Sequence, residues 1–257
     1  MKKLFTLIAT AALSLSLHAA EKLVVGATPV PHAEILNYLK PILAKDGVDL
    51  QVKVFNDFIQ PNQQLAKKTL DANYYQYRPF LDEYNKEHKT NLVALVPVHI
   101  EPFGAYSTRV KSLNELKEGA SIAIPNDPVN AGRSLVLLHE AGLITLKDPK
   151  NTLSSRRDIA ANPKKFKFKE LEGAMLARSL KQADLVFVFA NYALEAGIDI
   201  NSALIAEKGK DLYAEFLVAR PDNQQQPAVQ KLAKALNLPE VREFIQKRYK
   251  GTIAPAF

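Results

Sequence analysis

Arg133 is the residue whose placement asks for a chemical reason. The stretch "IPNDPVNAGRSLVLLHEAGLI", residues 124 to 144, runs from a short apolar strand through Asn126-Asp127-Pro128 into a helix that carries Arg133 in its first turns. The macrodipole makes a helix N-terminus positive, so a fixed cation belongs there only if something negative docks beside it. A guanidinium is planar and grips a carboxylate through two parallel hydrogen bonds, and free helix N–H groups add to such an anion site. A second group is aromatic. "DANYYQYRPFLDEY" holds Tyr74, Tyr75, Tyr77, Tyr84 and Phe80. Tyr75 and Tyr77 share one face of a strand, and Pro79 starts a helix that keeps Phe80 near the strand's end. Two hydroxyls at the mouth of a strand suit the rim of a binding cleft, because a buried hydroxyl needs a partner; plain core packing is the alternative.

Other chemistry is sparse. The histidines after residue 20 are His32, His88, His99 and His139, scattered along the chain. His99-x-Glu101 puts two possible metal ligands on one strand face, but no third partner is visible, and no metal or cofactor is expected. The chain has no GxSxG, HExxH, GxGxxG or GxxxxGK[ST] motif, and no nucleophile-base pair declares itself, so a binding protein is expected rather than an enzyme. Net charge is +7, yet no dense basic block with interleaved aromatics points to nucleic acid. "NPKKFKFKE" is the densest basic run and reads as an exposed strand edge or loop.

The elements that must hold these groups alternate. "KLVVGATP", "VDLQVKVF", "DANYYQY", "LVALVPVHI", "SIAIPN", "FKFKEL", "ADLVFVF" and "LYAEFLVA" read as strands. "HAEILNYLKPILAKDG", "PNQQLAKKTL", "PFLDEYNKEH", the arginine-bearing stretch, a segment around "AMLARSL", "QPAVQKLAKALN" and "LPEVREFIQKRY" read as helices, and "SLNELKEG" as a capped turn. This pattern implies an α/β fold with largely parallel sheets, and 257 residues are long for one such unit. Two lobes are expected: residues 21–108 and the return segment 209–257 in one, residues 109–208 in the other. In such folds ligands sit beyond strand C-termini, against helix N-termini. Lys2 and Lys3, the apolar run Leu4 to Leu17 and the small residues after it read as a signal peptide over residues 1–20. There is no cysteine. An exported protein held by its core alone is expected, without a lipid anchor and free in the periplasm.

The whole chain after the leader resembles the NlpA-type methionine-binding receptors of bacterial ABC importers. The resemblance rests on "VVGATPVPHAEIL", "VKVFNDFIQPNQQLAK", "DANYYQYRPFLDEYN", "LVALVPVHIEPFGAYS", "IAIPNDPVNAGRSLVLLHEAGLI", "LARSL", "NYALEAGI" and "YKGTIAPAF". It implies a two-lobe periplasmic-binding fold, type II-like, that closes on an amino acid in a cleft between the lobes. It implies a monomer that delivers its ligand to a permease and ATPase complex in the inner membrane. Residue by residue, it implies that Arg133 of "NDPVNAGR" holds the ligand carboxylate and that Asn191 of "NYALEAG" holds the amino-acid end. Phe58, Tyr75, Tyr77 and Phe80 then line the side-chain pocket, a soft aromatic surface suited to a thioether. The chain departs from the family in three places: Tyr77 stands where a histidine is usual, "LARSL" replaces "LPRSL", and Glu215 of "YAE" stands where a ligand-contacting asparagine is usual. Glu215 would meet the ligand's ammonium, or else pair with Arg133 and repel its carboxylate. Another amino acid or a methionine-containing dipeptide is the alternative ligand, and a surface adhesin or antigen the alternative class.

Overall fold

A computed structural model describes residues 20–207 and 211–257; residues 1–19 of the expected leader lie outside the described residues. In chain order the strands are β1 (Glu21–Ala27), β2 (Val48–Val54), β3 (Ala72–Tyr77), β4 (Val93–Ile100), β5 (Phe103–Tyr106), β6 (Ser121–Pro125), β7 (Thr145–Leu146), β8 (Ile159–Ala161), β9 (Lys167–Leu171), β10 (Leu185–Phe189), β11 (Ile205–Ala206), β12 (Ala214–Ala219) and β13 (Ala254–Pro255). The α-helices are α1 (Glu34–Lys45), α2 (Gln60–Ala66), α3 (Arg78–His88), α4 (Pro128–Glu140), α5 (Gly173–Leu176), α6 (Ala190–Glu195), α7 (Pro227–Leu236) and α8 (Pro239–Tyr249).

The strands form a six-stranded sheet, β13-β4-β12-β3-β1-β2, a five-stranded sheet, β11-β5-β10-β6-β9, and a short β7-β8 hairpin. Each large sheet is the centre of one lobe. The chain leaves the first sheet after Ile100 and enters the second at Phe103, ahead of the boundary expected at 108. It rejoins the first sheet at Ala214.

The sheets are mixed rather than largely parallel. β1 runs parallel to β2 and β3, and β10 and β6 parallel to each other and to β9. The strands next to the crossovers are antiparallel to their neighbours: β12 against β3 and β4, and β5 against β10. A strand arriving from the other lobe is not bound to the right-handed crossover that makes βαβ neighbours parallel. β9 is an edge strand, where alternate lysines face solvent, in keeping with the exposed edge expected for that run.

Both faces of the first sheet are covered. α1, α7 and α8 bury Ile35, Leu36, Leu39, Leu232 and Ile245 against Leu23, Val25 and Leu217. Leu65, Leu81 and Tyr84 of α2 and α3 pack with Phe55, Leu70 and Val218 on the other side. That double cover is why every residue of β3 is buried. In the second lobe Ile122, Leu135, Leu138, Phe103 and Phe187 make the core. Burying each such side chain stabilises by about 1.5–3 kcal/mol, enough for the core to hold the fold without a disulfide. Among the described residues no helix is long and apolar enough to cross a membrane.

Candidate ligand-binding cleft

The cleft is built where strands end and helices begin. β1 ends at Ala27, and the turn after it carries His32; β3 ends at Tyr77 and passes into α3. β6 runs into α4, whose N-cap Asp127 accepts a hydrogen bond from Asn130 N at 2.9 Å, with Pro128 preset for the first helical position. β10 runs into α6, which starts at Ala190-Asn191. These ends surround a small cavity between the lobes. All seven residues expected at the site line it: Phe58, Tyr75, Tyr77, Phe80, Arg133, Asn191 and Glu215. His32, Gln76, Glu101, Phe103, Asn130 and Phe189 are also in the wall.

The lobes touch across this space. Tyr77 donates its hydroxyl to Asn130 Oδ1 at 2.5 Å, and Asn191 N donates to Glu101 Oε2 at 3.0 Å. The Tyr192 hydroxyl donates to Asn56 O at 3.2 Å. Phe58 lies with its ring centroid 5.1 Å from those of Phe189 and Tyr192. The arrangement is that of a closed cleft.

One pole is cationic. Arg133 is buried in the second turn of α4. Its Nε donates to both Glu207 oxygens at 3.1 Å, and its Nη2 donates to Glu207 Oε2. Its guanidinium carbon lies 3.9 Å from the Tyr213 ring centroid, 4.7 Å from Phe103 and 5.2 Å from Tyr77. Burial disfavours the charge, but Tyr77, Glu207 and Tyr213 outweigh it and hold the guanidinium's pKa above its ordinary value.

The other pole is acidic. Glu215 sits on β12 between Tyr77 of β3 and His99 of β4, its register partners. Burial, with Glu101 nearby, pushes its carboxyl up to about 8 against the opposing pull of His99 and Arg133. Burial works against ionising Glu101 too, but the hydrogen bonds from His99 and the Asn191 N–H hold it below its ordinary value. Glu101 is therefore the carboxylate, and His99 Nε2 donates to its Oε1 at 2.9 Å. The Tyr74 hydroxyl donates to the other ring nitrogen of His99. His32 has its Nδ1 2.7 Å from Thr28 Oγ1, and burial lowers its pKa to about 3, so its ring is neutral.

Three polar atoms at this pole have no partner among the described residues: His32 Nε2, Glu215 Oε2 and Asn191 Oδ1. His32 Nε2 is 3.5 Å from Glu101 Oε1 and 3.8 Å from Glu215 Oε2. Sequence reasoning found His99-x-Glu101 without a third partner; the fold supplies it in His32, from another strand end. These three are the one group of metal-ligand types brought together among the described residues. The hydrogen bonds above already account for His99 and Glu101. His32 and Glu207 were missed as site residues, and nothing local marks them.

Two sheets linked by crossovers, with a polar, aromatic-lined cleft between them at helix N-termini, define a two-lobe solute-binding protein. The family model for NlpA lipoprotein matches residues 23–257, and the chain belongs to that family. It is 37% identical over 241 residues to the methionine-binding lipoprotein MetQ of Bacillus subtilis, an alignment covering 91% of this chain and 88% of that one. A nutrient-binding protein from Burkholderia cenocepacia, solved bound to methionine, is 38% identical with a TM-score of 0.88, over 91% of this chain and 100% of that one. A periplasmic substrate-binding protein of an ABC transporter from Coxiella burnetii is 34% identical with a TM-score of 0.85, over 91% and 99%. The family's name and its MetQ relatives overturn one expectation: the reading of an unlipidated protein free in the periplasm does not stand, because the family and these relatives are named as lipoproteins.

Proposed function

We propose that the protein is the receptor of an ABC importer and closes on one free amino acid, methionine first among the candidates. The observation that carries this is the polarity of the cleft. Arg133 stands at one pole, and three unpartnered buried atoms, Glu215 Oε2, Asn191 Oδ1 and His32 Nε2, stand at the other. An unpartnered buried polar atom costs about 1–3 kcal/mol, which a bound ammonium would recover. A ligand with a carboxylate and a primary ammonium satisfies both poles. Its side chain then lies among Phe58, Tyr75, Phe80 and Phe189, rings that suit a thioether.

In this reading Arg133 holds the carboxylate, and Glu215 and Asn191 the ammonium. The lobe built on the six-stranded sheet and the lobe built on the five-stranded sheet move as units about the crossovers. The closed monomer docks on a permease and ATPase complex, as the receptor of an ABC importer must to deliver its ligand.

Native mass spectrometry of the purified protein, followed by calorimetry with L-methionine, D-methionine and the other common amino acids, tests the reading. The expected result is one-to-one binding of an amino acid. A protein that carries none and binds none refutes it.

A further inference from the structure

Arg133 does not meet the cavity as a free cation. A guanidinium has five N–H donors in a fixed plane. Glu207 takes Nε–H and one Nη2–H, which is one whole edge of that plane. Tyr213, Phe103 and Tyr77 surround it. What remains is the edge formed by Nη1 and the outer Nη2–H, enough for one more bidentate carboxylate. Glu207 is itself placed by its backbone N–H, which donates to Phe103 O at 2.9 Å, at the end of β11 beside the crossover. Tyr213 follows on the return segment, so the two sides of that crossover clamp the arginine.

The pair also changes the charge of the site. Arg133 is the one Lys or Arg among the described residues that lines the cavity. With its charge answered by Glu207, the remaining ionisable lining is Glu101, Glu215 and the neutral ring of His32. Among the described residues the buried site therefore has no positive charge to spare for an anion, and burying an unanswered charge is costly.

We infer that Glu207 sets the specificity of the cleft: it aims the free edge of Arg133 at the ligand and cancels the arginine's charge, so that a carboxylate is accepted only from a ligand that also brings an ammonium. The inference rests on the amino-acid reading above and adds the class it excludes, N-blocked amino acids and other net anions.

Three probes on the unaltered protein separate the cases: L-methionine, its amide, which keeps only the ammonium, and N-acetyl-L-methionine, which keeps only the carboxylate. The expected order of affinity is methionine, then the amide, then the N-acetyl compound, with the last two at least about tenfold apart. Glu207→Gln, which keeps the shape and removes the charge, should raise N-acetylmethionine relative to the amide by about tenfold or more. Glu207→Asp, which keeps the charge, should weaken methionine while leaving that ratio alone. The inference is overturned if the N-acetyl compound outranks the amide on the unaltered protein, or if the ratio is the same in Glu207→Gln. If none of the three binds, the amino-acid reading falls and this inference with it. A Glu207→Gln chain that does not fold still leaves the ranking on the unaltered protein to decide.

Discussion

Glu215 should make the empty protein lose stability as pH rises, and the size follows from its surroundings. It faces Glu101, His99, His32, Tyr77 and, further off, Arg133, from β3, β4, β12, α4 and the turn after β1. Its folded pKa is about 8, against 4.5 ordinarily. A raised folded pKa means that stability is fully present below the unfolded value and is lost as pH climbs through the folded one. Between those two values the folded chain holds one proton more than the unfolded chain, so unfolding free energy falls by about 1.4 kcal/mol per pH unit. From pH 5 to 8 that is about 4 kcal/mol, or roughly 10 °C in melting temperature for a chain of this size. His32 acts in the opposite sense, its contribution fading as pH falls from 6.5 towards about 3. The comparison is therefore with Glu215→Gln, which resembles the protonated side chain and leaves the His32 contribution in place. Thermal melts of both proteins should coincide near pH 5 and separate by about 10 °C at pH 8, the unaltered protein being the less stable. Saturating amino acid should close the gap, because an ammonium at Glu215 favours the carboxylate. Parallel melting curves from pH 5 to 8 would refute the reasoning and leave Glu215 ionised and solvated.

Other substitutions test the rest of the site. Arg133→Ala should abolish binding in calorimetry and, contrary to a purely ligand-facing role, destabilise by about 3–5 kcal/mol, because Glu207 is left buried and unpaired. The double variant Arg133→Ala/Glu207→Ala should recover part of that melting temperature and none of the binding. Tyr75→Phe loses only the hydrogen bond to Phe58 O and should cost about 1 kcal/mol, whereas Tyr75→Ala, in a fully covered strand, should cost about 3–5 kcal/mol; denaturant melts separate the two. Gly132→Ala would put a methyl carbon 2.1 Å from Thr152 O, a backbone atom, so a loss of about 3 kcal/mol or a displaced loop is expected in melts.

Part of this was legible in the sequence because it is local. The N-cap, proline and arginine of "NDPVNAGR" lie within one helical start, and a cation there already asks for an anion. The Tyr75/Tyr77/Phe80 cluster is adjacent in sequence, so its placement on one strand end follows from the pleat and the proline. What was not legible is long-range. Glu207 reaches Arg133 across 74 residues, and no pattern near either marks the pair. His32 joins Glu101 only because the turn after β1 and the end of β4 meet at the same rim. The antiparallel strands beside the crossovers were missed for the same reason: local alternation fixes strands and helices, but not which lobe a strand returns to. The register of β12 was also hidden. It shifts against β3 at Phe216/Leu217, and Tyr213 lies in a helical turn outside the strand, so strict two-residue alternation does not run through "LYAEFLVA".

Glu215 then has a meaning that its departure from the family's asparagine does not show by itself. A protonated carboxyl offers one acceptor oxygen and one donor, much as a primary amide offers an acceptor and donors. With its pKa near 8, Glu215 is protonated in the empty cleft at neutral pH and presents the same kind of surface as that asparagine. The change of residue type therefore leaves the ligand class open to the same zwitterions and adds a response to protons. When an ammonium arrives, the carboxyl is driven to ionise, and binding near pH 7 should release close to one proton. Calorimetry in two buffers of different ionisation enthalpy reads that proton directly. Equal heats in both buffers would mean that Glu215 keeps its proton and that the ligand's ammonium rests on Asn191 and Glu101 instead.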